Sequence, residues 1–246
     1  MERSLKWTFE NGWTADVILV NVSTNLPVAL GQIGLYPPRP TIVIVGGASG
    51  LNEADLNRLH PLFADALAPL AESLQAAVVD GGTDCGVMRL IGQTRTKTSA
   101  AFPLIGVLPA GKVALPDMPP PTKATQLEPH HSHFVLVPGS QWGDESFWLA
   151  QVASVITGGA PSVTVLVNGG NIAWQDVSES VRHGRPVIVI DGSGRTADIL
   201  ADALHGQSAH SQANELAASG LLQAVDVMAG ADALVRILKE TLASRY

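Results

Sequence analysis

The residues best suited to chemistry in this sequence lie in short glycine-rich segments, each of which follows a run of β-branched residues. Three of these segments are GGASGL at 46–51, GGTDCGVM at 81–88 and DGSGR at 191–195. Parallel strands end along one edge of a sheet, so the backbone N–H groups of such segments can bind one anionic ligand together. The pattern therefore predicts a nucleotide pocket.

The segment at 81–88 is typical of a turn between a strand and a helix. Gly81 and Gly82 allow a tight turn with positive φ, and Gly86 allows the following helix to pack close to the sheet. We expect Thr83 or Asp84 to cap that helix. The charge of Asp84 opposes an anion, so a cap or a ribose hydroxyl suits it better than a phosphate. An ordinary strand-to-helix turn is the alternative interpretation.

The segment at 191–195 adds a cation at the start of a predicted helix. Arg195 could bind a pyrophosphate through two hydrogen bonds, while Ser193 caps the helix or binds phosphate. Asp191, at the end of the strand, could accept hydrogen bonds from ribose hydroxyls. Alternatively, Arg195 forms a local ion pair with Asp191 or Asp198.

Two further loops are expected to complete the walls of the pocket. They are Pro138-Gly139 and Asn168-Gly169-Gly170, which also follow predicted strands. Glu145, with Asp144 beside it, is the carboxylate best placed for acid or base catalysis. A carboxylate in a first helical turn is also stabilised by the helix dipole, so the position of Glu145 can be explained without a catalytic role.

The histidines of His130-His131-Ser132-His133 allow a metal site as an alternative, because His131 and His133 would lie on one face of a strand. Hydrogen bonding to neighbouring loops is the preferred interpretation. Cys85 is expected to be a small packed side chain.

Four aromatic residues follow the predicted strand-end loops, namely Trp142, Phe147, Trp148 and Trp174. One of them could stack on a nucleobase, although such residues more often belong to a core. The sequence does not choose among them.

The elements that must position these loops alternate along the chain. Seven aliphatic runs are predicted strands: Ala15–Val22, Thr41–Val45, Ala76–Val79, Leu104–Leu108, His133–Val137, Val163–Val167 and Val187–Ile190. Predicted helices are Glu53–Gln75, Gly86–Thr98, Glu145–Thr157, Ile172–Arg182 and Thr196–Leu204, with two more between Asn214 and Ala243 that break near Gly230. Continuously apolar strands are typical of a sheet covered on both faces. The predicted fold is therefore α/β, a Rossmann-like doubly wound, mainly parallel sheet with helices on both faces.

Prolines make residues 115–122 a surface loop, with a lid over the pocket as the alternative.

Composition limits the class of protein. The 246 residues carry 15 Lys and Arg against 22 Asp and Glu, a formal charge of −7, which disfavours nucleic acid and a polybasic membrane anchor. No apolar segment is long enough to span a membrane, so we expect a soluble chain without direct membrane insertion. The single cysteine excludes an internal disulfide and fits a cytoplasmic location. An effector protein and a homo-oligomer remain open as partners.

Four ordered segments resemble the LSDAT group of the SLOG superfamily, whose eukaryotic representatives are the amino-terminal cytosolic regions of melastatin-type TRP channels. They are VIVGGA at 43–48, VDGGTDCGVM at 79–88, HSHFVLV at 131–137 and PVIVIDGSGRTADIL at 186–200. The resemblance covers about residues 15 to 203. It implies a Rossmann-like domain that senses a nucleotide-derived ligand, and ADP-ribose is the ligand in some channel relatives. It also implies that prokaryotic members act in nucleotide-signalled stress or defence.

LOG-type phosphoribohydrolases, which cleave the glycosidic bond of a nucleoside monophosphate, belong to the same superfamily. Their first motif resembles residues 81–88, and their Pro-Gly-Gly-x-Gly-Thr-x-x-Glu motif is echoed by PGSQWGDE at 138–145, with one residue fewer before the acid. Their preceding Arg-Lys segment has no counterpart in residues 128–134. Catalysis at Glu145 is therefore the alternative to binding.

The sequence thus predicts a single nucleotide-binding domain over residues 1–246, with carboxy-terminal helices in 204–246. It predicts a soluble sensor of ADP-ribose or an NAD-related compound, with no metal and no certain cofactor. The expected ligand-binding residues are Gly46, Gly47, Ala48, Ser49, Gly82, Thr83, Asp84, Gly86, Val87, Met88, Gly139, Glu145, Asn168, Gly169, Gly170, Asp191, Gly192, Ser193, Gly194 and Arg195.

Overall fold

A computed structural model describes residues 3–48, 50–115 and 121–243, and within them nine strands form one sheet. The strands are β1 (Arg3–Thr8), β2 (Thr14–Leu19), β3 (Thr41–Gly46), β4 (Ala77–Asp80), β5 (Leu104–Pro109), β6 (His133–Val137), β7 (Ser162–Val167), β8 (Val187–Asp191) and β9 (Leu222–Asp226). Their spatial order is β1-β2-β6-β5-β4-β3-β7-β8-β9. Strand β1 pairs antiparallel with β2, and every other pair is parallel.

The strand order reverses direction once at the centre of the sheet. From β3 the chain proceeds outward through β4, β5 and β6, and then returns to place β7 on the other side of β3. A crevice opens outside the carboxyl ends of the strands at such a reversal, and ligands of open α/β sheets bind there. In this protein the loops that follow β3 and β7 flank this reversal.

The helices cover both faces of the sheet. They are α1 (Leu26–Gln32), α2 (Glu53–Pro61), α3 (Ala68–Ser73), α4 (Gly86–Lys97), α5 (Ser146–Thr157), α6 (Asn171–Arg182), α7 (Thr196–Leu204), α8 (Ser211–Ala218) and α9 (Gly230–Ala243). Alternate residues of each central strand point to opposite faces: Val43 and Val45 face the layer that contains α5, α6 and α7, whereas Ile42 and Ile44 face the layer that contains α4 and α9. Because both faces are covered, the predicted α/β, doubly wound, mainly parallel architecture is confirmed. No helix in the described part of the chain is both long and apolar enough to cross a membrane.

The carboxy-terminal prediction was wrong in one respect. The two predicted helices exist as α8 and α9, but the edge strand β9 lies between them. Leu222 and Val225 are buried, Gln223 and Asp226 are exposed, and Gly220, with φ of 72°, separates the strand from α8. The segment contains too few residues to distinguish a strand period from a helical one, so its assignment depends on the free edge of β8.

Three other differences concern element boundaries and existence. The predicted helix Glu53–Gln75 is interrupted by a π-helical segment, Leu62–Leu67, directly after Pro61, which lacks a backbone donor. The predicted strand Ala15–Val22 ends at Leu19. Strand β1 and helix α1 were not predicted. Most of the predicted loop 115–122 lies outside the described residues.

Candidate functional site

The predicted glycine loops follow strands that are all parallel, so they gather at the carboxyl edge of the sheet. The loops after β3 and β7 are neighbours there, because these two strands pair along their whole length. The loop after β4 adjoins the first, and the loop after β8 adjoins the second. We call this set of four loops, residues 46–48 and 50–52, 81–86, 168–170 and 192–195, the rim. Ser49, which was predicted to bind ligand, lies outside the described residues.

The first half of the rim is built on a contact between two glycines. Gly86 has φ of 53°, and a Cβ on it would overlap the carbonyl oxygen of Gly47. Because both side chains are absent, the start of α4 approaches the β3 loop closely enough for Val87 N to donate to Gly47 O at 3.1 Å. The predicted close approach at Gly86 is confirmed. The side chains of Val87 and Met88 point into the core, so only their backbone can face a ligand.

The second half of the rim is held by a buried asparagine. Asn168, which is 4% exposed, has φ of 61°. Its backbone N donates to Ser193 Oγ at 2.7 Å, and its Nδ2 donates to Ser193 O at 2.8 Å. Its carbonyl oxygen accepts from Ala197 N at 2.9 Å. Asn168 therefore fixes the β8 loop and the start of α7 against the β7 loop.

Arg195 lies where the two halves of the rim meet. A Cβ on Gly50 would overlap its Nη1, and a Cβ on Gly170 would be 3.1 Å from its Nη2. Within the described residues, the exposed guanidinium has no ion pair and no hydrogen bond, so the predicted alternative of a pair with Asp191 or Asp198 is not observed. The backbone of Arg195 has φ of 57° and ψ of −125°, a conformation that side-chain-bearing residues rarely adopt.

Four helices begin at this edge without a side-chain cap. No side chain within the described residues caps the amino terminus of α4, α5, α6 or α7, whereas α1, α2 and α8 are capped by Asn25, Asn52 and His210. Uncapped first turns present N–H donors and the positive end of the helix dipole. Helix α6 begins beside Gly170, which also adjoins the Arg195 guanidinium.

The caps predicted from the sequence were therefore wrong. Cys85, and neither Thr83 nor Asp84, precedes α4. Asp84 instead accepts from Arg89 Nε at 2.7 Å, and this pair raises the pKa of Arg89. Ser193 Oγ is engaged with Asn168 and the Ile190 carbonyl. Local sequence could not reveal the contact between Asn168 and Ser193, because Asn168 follows another strand.

The glycine turn after β4 also differs from its prediction. Gly82 has φ of 62°, but Gly81 does not adopt positive φ. Gly82 N donates to Asp80 Oδ1 at 2.7 Å, and its Cα lies so close to Gly106 that a Cβ would be 2.7 Å from that backbone. The turn therefore folds back over β5. Cys85 is half-buried, with its Sγ 3.1 Å from Thr83 Oγ1.

The loop after β6 lies farther along the same edge. Gly139 O accepts from Gly111 N at 2.9 Å, which places this loop beside the loop after β5. It then runs toward α6, because a Cβ on Gly143 would be 2.7 Å from Gln175 Oε1. The loop thus extends the edge beyond the rim instead of closing around Arg195.

Glu145 immediately precedes α5 and is almost completely buried. Its Oε2 accepts from Gly143 N at 2.7 Å, and burial raises its pKa. A second carboxyl group, which sequence reasoning missed, is Asp176 on α6. Burial, together with the charge of Glu145, raises the pKa of Asp176 to about 7. Asp176 lies one helical turn after Ile172, the first residue of the predicted helix, and its sequence position did not point to Glu145. The two carboxyl groups lie close together because α5 packs against α6.

The histidine segment forms a buried ionic cluster on the α4 face of the sheet. His131 Nε2 lies 2.8 Å from Asp80 Oδ1, and His131 Nδ1 lies 2.8 Å from Glu128 Oε2. His130 Nδ1 contacts the other oxygen of Glu128 at 2.5 Å. Burial alone would lower the pKa of His131, but the two carboxylates outweigh it and raise the pKa to about 9. The predicted hydrogen-bonding role is confirmed, and we call Asp80, Glu128, His130 and His131 the buried cluster.

The parallel sheet, its central reversal and the glycine loops at its carboxyl edge define a Rossmann-like α/β protein. The chain belongs to the family described as SLOG in TRPM, prokaryote (LSDAT_prok), whose sequence profile matches residues 39–236. The predicted family resemblance is thereby confirmed.

The chain is also similar to part of the sequences of animal transient receptor potential channels. It is 26% identical over 204 residues to transient receptor potential cation channel subfamily M member 2 of Mus musculus, covering 68% of this chain and 13% of the channel. It is 29% identical over 201 residues to a transient receptor potential channel of Caenorhabditis elegans, covering 69% of this chain and 10% of the channel. The chain therefore spans about a tenth of the length of these relatives.

Two solved structures share the fold at low sequence identity. The molybdenum cofactor binding protein from Rippkaea orientalis superposes with a TM-score of 0.54 at 14% identity, covering 82% of this chain and 96% of that protein. The molybdenum cofactor carrier protein from Chlamydomonas reinhardtii superposes with a TM-score of 0.54 at 16% identity, covering 84% of this chain and 99% of that protein. At these identities the likeness establishes the fold.

Proposed function

We propose that this chain is a sensor domain that binds a nucleotide-derived ligand at the rim, with ADP-ribose and NAD-related compounds as the first candidates. The observation that carries the proposal is the Arg195 guanidinium, exposed and without an ion pair in the described residues, between Gly50 and Gly170. Guanidinium groups bind phosphate through two parallel hydrogen bonds. Its place at the reversal of the strand order is where open α/β sheets bind ligands.

The amino terminus of α6 supports the same assignment. Its first turn has no side-chain cap and begins at Gly170, so its N–H groups can bind phosphate oxygens that also contact Arg195. The remaining predicted residues of the rim would contribute mainly backbone, because Asn168 and Ser193 are engaged with each other. The ligand is thus recognised chiefly by N–H groups and one cation.

The family and its channel relatives agree with a sensing role. Because the chain is similar to part of a subfamily M channel, we propose that a ligand at the rim changes how the domain contacts an effector protein. We further propose that residues 1–246 act as one ligand-binding domain in the cytoplasm, and that self-association accompanies this role. The continuous sheet supports a single unit.

A thermal-shift titration tests the proposal. Ligands that bind the folded state raise the unfolding temperature with concentration. The panel is ADP-ribose, NAD, cyclic ADP-ribose, AMP and ribose 5-phosphate, each with the wild type and with Arg195→Ala. We expect at least one adenine nucleotide to stabilise the wild type and to lose most of this effect in the variant. Absence of any shift across the panel would refute nucleotide sensing.

A second function is favoured by the two carboxyl groups with raised pKa values. Glu145 and Asp176 lie where α5 meets α6, near the same edge of the sheet. A protonated carboxyl group can donate a proton to a leaving base while the other carboxylate activates water for attack at the sugar C1′. Cleavage of the N-glycosidic bond of a nucleotide then gives free base and ribose phosphate. This is the LOG-like phosphoribohydrolase alternative, with Glu145 as acid or base.

Chromatography separates this alternative from simple binding. Nucleoside monophosphates incubated with the wild type should release free base if the alternative holds, and Glu145→Gln and Asp176→Asn should each abolish the release. If the nucleotides bind but remain intact, the domain is a binding module.

A further inference from the structure

Another arginine, far from the rim, lies in the interior without a carboxylate partner. Arg95, on the last turn of α4, is 9% exposed. Its Nε donates to Phe102 O at 2.7 Å, and its Nη1 donates to His130 O at 3.2 Å. Among the described residues it has no ion pair. Both of its hydrogen-bond acceptors are therefore neutral carbonyl groups.

The positive charge of Arg95 is only partly balanced by the protein. Burial lowers the pKa of Arg95, and the charges of Glu72 and Glu128 raise it by less. Both carboxylates bind other groups: Glu72 accepts from Ala101 N and Phe102 N, and Glu128 contacts the histidines of the buried cluster. A buried charge without a direct partner is costly, and a bound anion would supply that partner.

The Arg95 guanidinium borders a cavity of about 530 Å³. The cavity is also lined by Thr14, which begins β2, and by Ser132, which precedes β6, so it lies at the amino ends of these strands, opposite the rim. Arg95 Nη2 makes no hydrogen bond to a described residue and remains open to solvent. The volume is that of a small-molecule site, and the two N–H groups of Nη2 can donate to its occupant.

The other described walls of the cavity supply donors and an aromatic surface. Asn11 Oδ1 accepts from Trp13 N at 3.1 Å, which leaves Asn11 Nδ2 as a donor. Trp13 is 43% exposed, packs edge-on against His130 with a centroid distance of 6.0 Å, and carries an indole N–H donor. None of the described residues that line the cavity is acidic, so an anion there meets no carboxylate in the wall.

The electrostatics favour one class of anion. The charges of Glu72 and Glu128 reach Arg95, and they would repel a dianion about twice as strongly as a monoanion. A guanidinium binds a carboxylate through two parallel hydrogen bonds. The exposed face of Trp13 provides apolar contact for the body of the same ligand. These features suit a carboxylate with a single charge and an apolar or aromatic body.

We propose that the cavity between Arg95 and Trp13 is a second ligand site, which binds a monoanionic carboxylate with an apolar body. The site is independent of the proposed function of the rim. Helix α4 begins at the rim with Gly86 and reaches Arg95 nine residues later, a rise of about 13.5 Å. Binding at Arg95 and binding at Arg195 can therefore be measured separately.

Benzoate and benzamide test the site, because they share shape and differ in charge. Each is titrated into the protein while the backbone amide resonances of Gly12 and Ser132, which line the cavity, are followed by ¹⁵N–¹H NMR. We expect benzoate to shift both resonances to saturation, benzamide to shift neither, and inorganic phosphate to bind more weakly than benzoate. Equal effects of benzoate and benzamide, no saturable shift with benzoate, or tighter binding of phosphate would overturn the proposal.

Variants assign the anion to Arg95. Arg95→Lys keeps the charge but loses the planar fork, and we expect it to raise the Kd for benzoate at least about 5-fold. Asn11→Ala, which leaves the carbonyl contacts of Arg95 intact, should raise it about 2- to 10-fold. Arg89→Lys is the matched control on the same helix, because Arg89 is exposed and pairs with Asp84.

We expect Arg89→Lys and Arg195→Ala to bind benzoate at these resonances as the wild type does. An unchanged Kd in a folded Arg95→Lys variant would overturn the assignment. If the NMR spectrum shows that Arg95→Lys is unfolded, Asn11→Ala decides, and an unchanged Kd there would overturn it equally. Loss of benzoate binding in Arg195→Ala would place the carboxylate at the rim and refute the second site.

Discussion

Two cationic side chains of this protein occupy opposite environments. His131 is 1% exposed, and each of its ring nitrogens faces a carboxylate oxygen at 2.8 Å. Arg195 is exposed, lies against two glycines and has no ion pair within residues 3–48, 50–115 and 121–243. One cation is neutralised by the protein itself, and the other is available to a ligand.

The difference shows how stability and binding are separated on one sheet. The buried cluster ties the segment before β6 to β4, and through Asp80 Oδ1 it also fixes the Gly82 turn that leads to α4. The rim leaves the Arg195 guanidinium and the amino terminus of α6 without a side-chain partner in the described residues, at the expense of a rare backbone conformation at Arg195. Changes in the buried cluster should therefore affect folding, and changes at the rim should affect ligand binding.

The largest expected effect is that of Asp80→Ala on stability. Removing this carboxylate leaves the buried His131 imidazolium with one partner fewer, which costs about 3–5 kcal/mol in free energy of unfolding. Urea denaturation provides the measurement. Lys6→Ala, which breaks the exposed pair between Lys6 and Asp16, is the control and should cost less than about 1 kcal/mol. A loss for Asp80→Ala as small as that of the control would mean that the buried cluster is dispensable.

The pH dependence of stability should show the titration of His131. Its pKa is raised from 6.5 to about 9 on folding, so its contribution is complete below pH 6.5 and is lost as the pH rises through 9. The free energy of unfolding should therefore decline between these values, and His131→Gln should remove this part of the slope. Asp176, whose pKa is raised from 3.8 to about 7, makes the free energy of unfolding decline as the pH rises from 3.8 to 7. An identical slope above pH 7 in His131→Gln would contradict the assignment.

The smallest expected effect on stability is that of Arg195→Ala. The exposed guanidinium has no ion pair to lose in the described structure, and alanine keeps the same backbone conformation. We expect the free energy of unfolding to change by less than about 0.5 kcal/mol. A larger loss in urea denaturation would show that Arg195 supports the fold, and the contrast with His131 would then fail.

The sequence was sufficient to predict the central architecture. The continuously apolar runs at β3, β7 and β8 predicted buried parallel strands, and their glycine-rich ends predicted loops along one edge. The family resemblance was equally visible in those segments. The local signals are strong there because the strands are buried on both faces and the turns require glycine.

What the sequence could not predict depends on contacts between distant segments. The partner of Ser193 was misassigned, because a capping side chain is recognised from its local spacing whereas Asn168 approaches Ser193 from another strand. Asp176 gave no signal because its raised pKa results from packing of α5 against α6. Strand β9 had too few residues for its period to be read.

The most direct test of the central claim is the affinity for ADP-ribose of the wild type and of Arg195→Ala, measured by isothermal titration calorimetry. Arg182→Ala is the control, because Arg182 is exposed at the opposite end of α6 and pairs with Glu179. Loss of a hydrogen bond between charged groups should raise Kd about 10- to 100-fold in Arg195→Ala and leave it unchanged in Arg182→Ala. A Kd for Arg195→Ala within about twofold of the wild-type value would contradict the assignment of the rim as the anion-binding site.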